Sequence, residues 1–167
     1  TRKLEQNKEV VYVSSGEGTT SQGDFHEALN WASREKAPVI FHIQDNEYAI
    51  STHKSEQTAG SVYSLVSGYE NLSKIQVDGT NFFESSLAFK QAVERARRGK
   101  GPTVIVSNVV RLMPHSSSDD QRKYRSEEAL AKDMARDPIE LFKNSCINEN
   151  IFSEKEAEKI AQKSSKQ

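Results

Sequence analysis

Four short apolar runs, separated by longer amphipathic stretches, constrain the fold of this chain more than any other feature of its sequence. The runs are rich in valine and isoleucine and do not alternate strictly between apolar and polar residues. Such runs are typical of strands in a parallel sheet that is covered on both faces. We therefore predict four buried strands, at Val10–Ser14, Val39–Gln44, Lys74–Val77 and Thr103–Ser107.

Helical patterns lie between these runs. From Phe25 to Ala32 the apolar residues recur at i, i+3, i+4 and i+7, which is the spacing of one buried helix face. From Ala88 to Ala96 alanines recur along one stripe, which indicates a second helix. The expected ends of these helices are an N-cap at Asp24, a capping box of Asn81 with Glu84, and a C-terminal stop at Gly99.

The alternation of strands and helices predicts right-handed crossovers and hence an α/β fold, a parallel sheet with helices on both faces, followed by C-terminal helices. Before those helices we expect a polar loop of about 10 to 15 residues, a length that is typical of functional loops. Residues 1–125 are assigned to the α/β domain and residues 126–167 to a helical extension of the same domain. The C-terminal helices are expected at Ser126–Ala135, Pro138–Ser145 and Ser153–Gln162.

The charge of the chain argues against two classes of partner. It has 23 basic and 24 acidic residues, so we expect neither a nucleic-acid nor a membrane surface. No apolar run approaches the ~20 residues that a membrane-spanning helix needs. The single cysteine, Cys146, cannot form an internal disulfide. A reducing compartment is therefore expected, either the cytoplasm or, in a eukaryote, the mitochondrial matrix.

The composition suggests that this chain is a piece of a larger protein. With 35% hydrophobic residues over 167 positions and a mean hydropathy of −0.74, it is lean for a self-contained globule. It also begins without an initiator methionine. We therefore expect part of its core to be completed by polypeptide outside this sequence.

Polar residues follow the first two predicted strands at the point where each strand ends. Glu17 stands between Gly16 and Gly18 after the first strand, and Asn46 follows the second. Ligands of open parallel sheets bind beyond the carboxyl ends of the strands, so a carboxylate and an amide oxygen would face one point. Such ligands suit magnesium, which often takes part of its shell from a phosphorylated ligand. The glycines would let the backbone approach that ligand, and the following helix would offer N–H groups to its phosphates.

A resemblance to a known family extends this pattern over most of the chain. The stretch GEGTTSQGDFHEALNWA, followed by APVIFHIQDNEYAIST, is similar to the thiamine-diphosphate motif, in which Gly-Asp/Glu-Gly precedes a distant Asn. The segments SEQ at Ser55–Gln57, VDG at Val77–Gly79 and the loop RLMPHSSSDDQRKYRS follow in order. With them, the chain resembles the α subunit of the decarboxylating component of branched-chain 2-oxo acid (2-oxoisovalerate) dehydrogenase, from about Val10 to at least Phe142.

The resemblance implies roles for the matched residues. Glu17, Asn46 and the main-chain carbonyl of Tyr48 would bind Mg²⁺. His115 would act at the cofactor, in proton transfer or in reductive acylation of a lipoyl group. The expected cofactor contacts besides His115 are Gly16, Gly18, Thr19 and Gln44, of which Gly18 and Thr19 would touch the diphosphate. The residues expected to order the loop are Arg111, Ser116, Asp119, Asp120, Tyr124 and Arg125, and Ser116 and Ser126 align with serines that are phosphorylated in animal members.

The same resemblance implies cofactors and partners. The cofactors would be thiamine diphosphate and Mg²⁺, and the substrate would be a 2-oxo acid that is decarboxylated. The acyl group would pass to a lipoyl-bearing acyltransferase component. A β subunit or β half would supply the aminopyrimidine side of the site within a homo- or hetero-oligomer. The upstream part of the family subunit lies outside this sequence, so the isolated chain is expected to be inactive.

Three positions depart from the family pattern. Gln44 stands where some members carry an arginine that grips the diphosphate, Asp45 stands where asparagine is usual, and His53 where proline is common. Two other interpretations stay open, namely a pyruvate or acetoin dehydrogenase component and a folded module that binds its partner half without catalysis. A nucleotide-binding domain is disfavoured because the chain lacks both G-x-G-x-x-G and a P-loop lysine. His42, within a predicted strand, is expected to be an interior histidine with hydrogen-bond partners.

Overall fold

A four-stranded parallel sheet forms the centre of the molecule, in a computed structural model that describes residues 8–165. The strands are β1 (Val11–Gly16), β2 (Val39–Asp45), β3 (Tyr48–Ala49), β4 (Thr52–His53), β5 (Ser73–Asp78) and β6 (Thr103–Asn108). The sheet has the order β1-β2-β6-β5, and β3 pairs with β4 in an antiparallel hairpin. All four predicted strands are confirmed to within two residues at each end. The hairpin was not predicted, because strands this short leave no periodic signal.

Helices connect the strands and continue beyond the sheet. They are α1 (Gly23–Arg34), α2 (Val62–Leu65), α3 (Phe82–Arg97), α4 (Glu127–Met134), α5 (Pro138–Asn148) and α6 (Glu154–Ser164). Just beyond α3, Gly99 adopts a φ of +69°, the left-handed conformation that favours glycine at a helix end, so the predicted stop is confirmed. The three predicted C-terminal helices are also confirmed, although their ends shift by up to three residues. None of the helices within residues 8–165 combines the length and the apolar character needed to cross a membrane.

The core has two layers, one on each face of the sheet. Leu29 of α1 belongs to a buried cluster with Phe41 and Ile43, whose side chains lie on one face of β2. On the opposite face, Ile40 and Ile105 cluster with the alanine stripe of α3. Since neighbouring residues of a strand point to opposite faces, α1 and α3 cover different sides of the sheet. This is the predicted α/β architecture.

The prediction of complete burial is wrong for the first strand. Val11, Tyr12 and Val13 of β1 are exposed by 47%, 54% and 42%. The reason is that β1 is an edge strand of the sheet, bonded on one side to β2 only. An edge strand can therefore keep an apolar sequence without being covered within residues 8–165. His42 is confirmed as an interior histidine, because its ring nitrogens lie 2.8 Å from the hydroxyl of Tyr12 and 2.9 Å from that of Ser107.

Two predicted helix caps differ from the observed ones. The N-cap of α1 is Gln22, not Asp24, because a 3-10 turn over Glu17–Ser21 brings the chain into the helix two residues earlier. Asn81 does cap α3, accepting the N–H groups of Phe83 and Glu84. The capping box is absent, however, because the Glu84 carboxylate contacts the side-chain amide of Asn81 and the N–H of Asp78 instead. Periodicity predicted the helices, but the 3-10 turn before α1 and the competing contacts of Glu84 at α3 decided how the helices begin.

The connection from β6 to α4 is longer than predicted. It runs through residues 109–126 and contains only a short 3-10 turn, at Gln121–Lys123. Ser126 ends it as the N-cap of α4, its side chain accepting the N–H of Ala129 at 3.2 Å. The loop therefore begins at the carboxyl end of the sheet, where ligands of parallel α/β folds bind.

Candidate functional site

Glu17 is held by the turn that ends β1. Residues Glu17–Ser21 form a 3-10 turn, in which the hydroxyl of Thr20 donates a 2.7 Å hydrogen bond to the carbonyl of Glu17. Only 1% of Glu17 is exposed. Its Oε2 accepts the N–H of Asn46 at 3.2 Å. Its Oε1 is buried and has no hydrogen-bond partner within residues 8–165.

The Glu17 carboxylate lies in an electrostatically unfavourable place. Burial raises its pKa above the usual value, although the N–H donors of Glu17 and Asn46 pull in the opposite direction. The negative charge of Asp45 raises the pKa further and the positive charge of Lys54 lowers it. A buried acid with one unpaired oxygen is costly, so its presence calls for a chemical reason. A hard divalent cation on Oε1 fits this donor set.

Asn46 and Tyr48 lie on one tight turn after β2. Asn46 Oδ1 accepts the N–H of Tyr48 at 3.1 Å, and Asp45 Oδ1 accepts the N–H of Glu47 at 3.0 Å. Glu47 has a φ of 72°, in the left-handed region that costs energy for any residue with a Cβ. The structure therefore joins Glu17 to Asn46 by a hydrogen bond and places Tyr48 on the same turn.

Lys54 anchors this turn from beyond the β3–β4 hairpin. Its Nζ lies 3.0 Å from Asp45 Oδ2 and 3.2 Å from Glu47 Oε1, and its N–H donates to the carbonyl of Glu47 at 2.8 Å. Burial disfavours the ammonium, but the hydrogen bonds and charges of Asp45 and Glu47 outweigh this effect and raise the pKa of Lys54. Sequence reasoning missed Lys54, because a single lysine in HKSEQ carries no signal of its partners.

The predicted diphosphate contacts lie at the ends of β1 and β2. Gly16 pairs with Gln44 in the sheet register, and both Gln44 and Thr19 are accessible to a ligand. A Cβ on Gly16 would meet nothing within 4 Å. A Cβ on Gly18 would stand 2.7 Å from the Cβ of Ala49, closer than real Cβ contacts. The fold itself therefore requires a glycine at position 18, whereas at position 16 there is space for a side chain.

A polar cleft of about 600 Å³ opens at this end of the sheet. Its walls include Asn46 and Tyr48, the last residues of β5 and β6, Asp78 and Asn108, and Asp133 of α4. The volume falls within the range of about 300–1,000 Å³ that is typical of ligand pockets. The carboxyl ends of β2, β5 and β6 thus border one cleft, whereas its lining includes neither Glu17 and its neighbours after β1 nor the segment Arg111–Asp120.

A chain of hydrogen bonds runs from the hairpin into the 109–126 loop. Arg111 donates to the carbonyl of Ile50 at 2.7 Å and to the hydroxyl of Tyr124 at 2.8 Å. Tyr124 in turn donates to Asp119 Oδ2 at 2.6 Å, which also accepts the N–H of His115 at 2.9 Å. These donors, Tyr124 first and the N–H of His115 second, hold the pKa of Asp119 below its usual value. The loop backbone at His115 is thereby tied to the hairpin that carries Tyr48.

Arg125 belongs to the same hydrogen-bond network of the 109–126 loop. It is buried, donates to the carbonyl of Arg111 at 2.9 Å and to Gln121 Oε1 at 3.0 Å, and forms an ion pair with Asp133. The guanidinium groups of Arg111 and Arg125 lie 5.5 Å and 5.3 Å from the ring centre of Tyr48. Both distances are in the range of cation–π contacts. The ring of Tyr48 therefore touches the loop, while its backbone belongs to the turn at residues 45–48.

Two predicted loop residues make only short-range contacts. The hydroxyls of Ser116 and Ser118 lie 3.2 Å apart. Asp120 pairs with Arg122 at 2.8 Å and caps the short 3-10 turn of the loop. These contacts shape the tip of the loop, whereas Arg111 and Arg125 attach it to the rest of the molecule.

His115 stands apart from the predicted metal ligands. It is exposed, and within residues 8–165 no hydrogen bond or ion pair joins its side chain to Glu17 or Asn46. Across the same residues, no group of three or more His, Cys, Asp or Glu side chains is placed to hold a metal ion. The predicted magnesium site is of a different kind, because it combines one carboxylate with an amide oxygen and a main-chain carbonyl.

Gln57 and Thr58 also have buried polar atoms that sequence reasoning did not single out. Gln57 Nε2 and Thr58 Oγ1 have no hydrogen-bond partner within residues 8–165. Gln57 Nε2 lies 3.8 Å from the position that a Cβ on Gly18 would take. The only signal in the sequence was the SEQ segment, which matched the family without indicating a role.

The arrangement of these elements is that of a solved enzyme fold. The structure superposes, with a TM-score of 0.51, on a protein from Mycobacterium smegmatis that is described as a thiamin diphosphate-dependent enzyme. The match covers 66% of this chain and 20% of that chain at 18% identity, so it shows the fold alone. The predicted fold class, a parallel α/β sheet of the thiamine-diphosphate-binding type, is confirmed.

Sequence comparison then defines the family. The profile described as "Dehydrogenase E1 component" matches residues 1–167, and the chain belongs to this family. It is 41% identical over 138 residues to the 2-oxoisovalerate dehydrogenase subunit alpha of Bacillus subtilis, covering 82% of this chain and 42% of that protein. It is 36% identical over 159 residues to the pyruvate dehydrogenase E1 component subunit alpha of Acholeplasma laidlawii, covering 95% and 46%. The chain thus spans less than half the length of these curated relatives.

Proposed function

We propose that this chain is the diphosphate- and magnesium-binding half of a thiamine-diphosphate-dependent 2-oxo acid dehydrogenase. The observation that carries the proposal is the buried Glu17 carboxylate, fixed through Oε2 to Asn46 and left without a partner at Oε1 within residues 8–165. A divalent ion at Oε1 would compensate the buried charge and attract the diphosphate oxygens. Membership of the dehydrogenase E1 component family supports the same assignment.

In this proposal the turns after β1 and β2 hold the anionic end of the cofactor. Glu17, Asn46 Oδ1 and the carbonyl of Tyr48 would ligate Mg²⁺, and hydrogen bonds already join Glu17 to Asn46 and Asn46 to Tyr48. The backbone of Gly18 and Thr19 faces the diphosphate, and the open positions Gly16 and Gln44 border it. When bound, thiamine diphosphate supplies the nucleophilic carbon and the electron sink for decarboxylation. The protein's task at this end is to bind and orient.

The 109–126 loop would serve the reacting end. We propose that His115 takes part in proton transfer or in acylation of the lipoyl group, and that the chain Arg111–Tyr124–Asp119 positions it through its N–H. Ser116, Asp120 and Arg125 order the loop in the same proposal. The ion pair of Arg136 with Asp78, at 3.0 Å, supports treating residues 126–167 as an extension of the domain at residues 1–125.

The substrate we propose is a branched-chain 2-oxo acid. The support is the 41% identity to the 2-oxoisovalerate dehydrogenase subunit, against 36% for the pyruvate dehydrogenase subunit. A pyruvate or acetoin dehydrogenase component is the alternative. In either case a β subunit would complete the cofactor site and a lipoyl-bearing acyltransferase would accept the acyl group. Turnover of branched-chain 2-oxo acids and of pyruvate by the full-length assembly decides between these substrates.

The test of the proposed function is Glu17→Ala in the full-length assembly. We expect loss of measurable Mg²⁺-dependent thiamine diphosphate binding by calorimetry, because the variant removes the only carboxylate of the proposed site. Glu27→Ala is the matched control, since Glu27 is an exposed acid on α1. Unchanged cofactor affinity in Glu17→Ala would show that the buried acid has another role.

A second candidate function is supported by the exposed edge of the sheet. Val11, Tyr12 and Val13 present apolar side chains on β1, and an edge strand offers unpaired backbone groups to another polypeptide. On this view, the 167-residue chain by itself is a folded module that binds its partner half without catalysis. A decarboxylation assay on the isolated chain is expected to show no turnover. Clear activity would rule this second candidate out.

A further inference from the structure

Resting on the proposed function, we propose that Lys54 is a positioning residue for the metal site. It holds the turn at residues 45–48 in a strained conformation that presents Asn46 and Tyr48 to the ion. Lys54 is not a ligand in this proposal, and it does not touch the diphosphate. It acts through the turn that carries two of the three proposed ligands, so its removal changes metal binding without removing a ligand.

The strain is visible in the backbone of the turn. Glu47 has a φ of 72° and lies between Asn46 and Tyr48. A residue with a Cβ remains in this region only when the surrounding structure enforces it. The hydrogen bond from the N–H of Glu47 to Asp45 Oδ1, at 3.0 Å, is internal to the turn and cannot alone attach it to the rest of the fold.

The turn is attached to the rest of the fold by the N–H of Asn46, which donates to Glu17 at 3.2 Å, and by the carbonyl of Asp45, which accepts the N–H of Val109 at 2.9 Å, but only Lys54 among these partners contacts Glu47. Lys54 makes three contacts with the turn, from Nζ to Asp45 Oδ2 at 3.0 Å, from Nζ to Glu47 Oε1 at 3.2 Å, and from its N–H to the carbonyl of Glu47 at 2.8 Å. The side chains of Lys54 and Asp45 are 27% and 4% exposed, so this ion pair is shielded from water on most sides. It is therefore stronger than a surface pair, whereas the contact with the exposed Glu47 carboxylate adds less.

The direction in which Mg²⁺ affinity changes on removal of Lys54 distinguishes a positioning role from an effect of the lysine charge alone. An ammonium near a divalent cation repels it, so on charge alone the removal of Lys54 would tighten Mg²⁺ binding. If Lys54 positions the ligands, its removal weakens Mg²⁺ binding instead. The two explanations therefore predict opposite changes for the same substitution.

The experiment uses Lys54→Met in the full-length assembly. Mg²⁺ titrated calorimetrically in the presence of thiamine diphosphate is expected to bind about 10- to 100-fold more weakly, the usual loss when a partner that orients a metal ligand is removed. In the protein without ligands, hydrogen exchange at the N–H groups of Glu47 and Tyr48 is expected to accelerate. Lys54→Arg, which keeps the charge and the reach, should retain binding and exchange protection.

Two variants complete the test. Adding Glu47→Gly to Lys54→Met is expected to restore part of the affinity, because glycine adopts a positive φ without a steric cost. Lys74→Met is the matched control. Lys74 is anchored similarly, with Nζ 3.1 Å from the carbonyl of Tyr63 and 2.6 Å from the hydroxyl of Ser67, but it lies on β5 away from the turn. It should leave Mg²⁺ binding unchanged.

The positioning role is overturned if Lys54→Met binds Mg²⁺ as tightly as the wild type or more tightly. If Glu17→Ala loses Mg²⁺ binding in the same experiment, the proposed function is left intact. Full binding in Glu17→Ala overturns the proposed function, and the exchange rates at Glu47 and Tyr48 then still decide whether Lys54 holds the turn. If Lys54→Met fails to fold, the double variant Asp45→Asn with Lys54→Met removes both charges of the buried ion pair. Its Mg²⁺ binding and hydrogen exchange are measured in the same way. Unaltered exchange in that variant also overturns the proposal.

Discussion

Two polar regions meet at the carboxyl end of the sheet, and they differ in how their acidic groups are paired, although each contains a buried polar atom without a partner within residues 8–165, Oε1 of Glu17 in the first and Nε of Arg111 in the second. At the proposed metal-side turn, which comprises Glu17 and residues 45–48, Glu17 is buried and one of its carboxylate oxygens has no partner within residues 8–165. In the 109–126 loop, Arg111, Asp119 and Tyr124 donate to and accept from one another or the hairpin backbone. The first region leaves one oxygen of a buried acid without a partner, whereas in the second the acid Asp119 is paired by donors of the loop itself.

The difference between the two regions lies in whether their own hydrogen bonds are enough to hold the ligand-free structure. A buried acid with a free oxygen lowers the stability of the ligand-free fold, and proteins tolerate such groups mainly at sites of function. The loop, by contrast, holds the backbone at His115 through its own hydrogen bonds, because Asp119 accepts both the N–H of His115 and the hydroxyl of Tyr124. The two regions touch through the N–H of Val109, which donates to the carbonyl of Asp45 at 2.9 Å, through the hairpin, and through the ring of Tyr48, against which Arg111 and Arg125 pack.

The largest expected effect comes from Glu17→Gln, which removes the charge but keeps an oxygen that can accept the N–H of Asn46. In the full-length protein, Mg²⁺ with thiamine diphosphate should stabilise the wild type by about 4 kcal/mol at about 1,000 times Kd, and the variant not at all. Without ligands, the variant should be more stable than the wild type by about 1–3 kcal/mol, because a buried charge is gone. Denaturant unfolding with and without ligands measures both changes.

The control for this comparison is Glu27→Gln on the exposed face of α1, where a change within about 0.5 kcal/mol is expected. A ligand-free Glu17→Gln that is less stable than the wild type would mean that the acid supports the fold. The contrast between an incomplete region and a self-sufficient one would then be lost.

A smaller effect is expected from Gly18→Ala. The added methyl would stand 2.7 Å from the Cβ of Ala49, so the turn after β1 and the hairpin must move apart. Overpacking of this kind costs about 1–3 kcal/mol of unfolding free energy, which thermal unfolding of the ligand-free protein would show. Gly23→Ala is the matched change, because a Cβ there meets nothing within 4 Å and the residue begins α1. Equal stability of the two variants would contradict the close contact.

The sequence predicted the parts of this region that depend on local pattern. Runs of valine and isoleucine located the strands, and the polar residues at their ends located Glu17 and Asn46. These inferences succeed because side-chain periodicity and strand ends are encoded over a few neighbouring residues. The resemblance to the family extended them to the loop, where Arg111, Asp119, Tyr124 and Arg125 form one connected network.

Features that depend on distant contacts were not predictable. The contact of Lys54 with Asp45, the positive φ of Glu47 and the exposure of β1 follow from how separate segments meet. The wrong cap at Asp24 has a related cause, because the 3-10 turn after Glu17 fixes where α1 begins. Composition marks which residues can cap or pair, but the path of the chain decides which of them do so.

The smallest expected effect tests the loop by itself, through Tyr124→Phe. The substitution removes the 2.6 Å hydrogen bond to Asp119 and the 2.8 Å bond from Arg111, but it keeps a ring whose centre lies 5.8 Å from that of Tyr48. The hydroxyl of Tyr124 is the main cause of the low pKa of Asp119, so this pKa should rise towards its usual value. Carboxyl titration by NMR measures this change.

Hydrogen exchange at the N–H of His115 should also accelerate in Tyr124→Phe, because the carboxylate that accepts it loses its other anchor. A lowered carboxyl pKa supports loop order only while the group is ionised, so protection in the wild type should fall as the pH drops below about 4. Tyr63→Phe, on α2, serves as the control.

Mg²⁺ binding should be unchanged in Tyr124→Phe if the loop and the metal-side turn are independent. A parallel loss of Mg²⁺ affinity would show that the contacts of Arg111 with Ile50 and Tyr48 make them one unit.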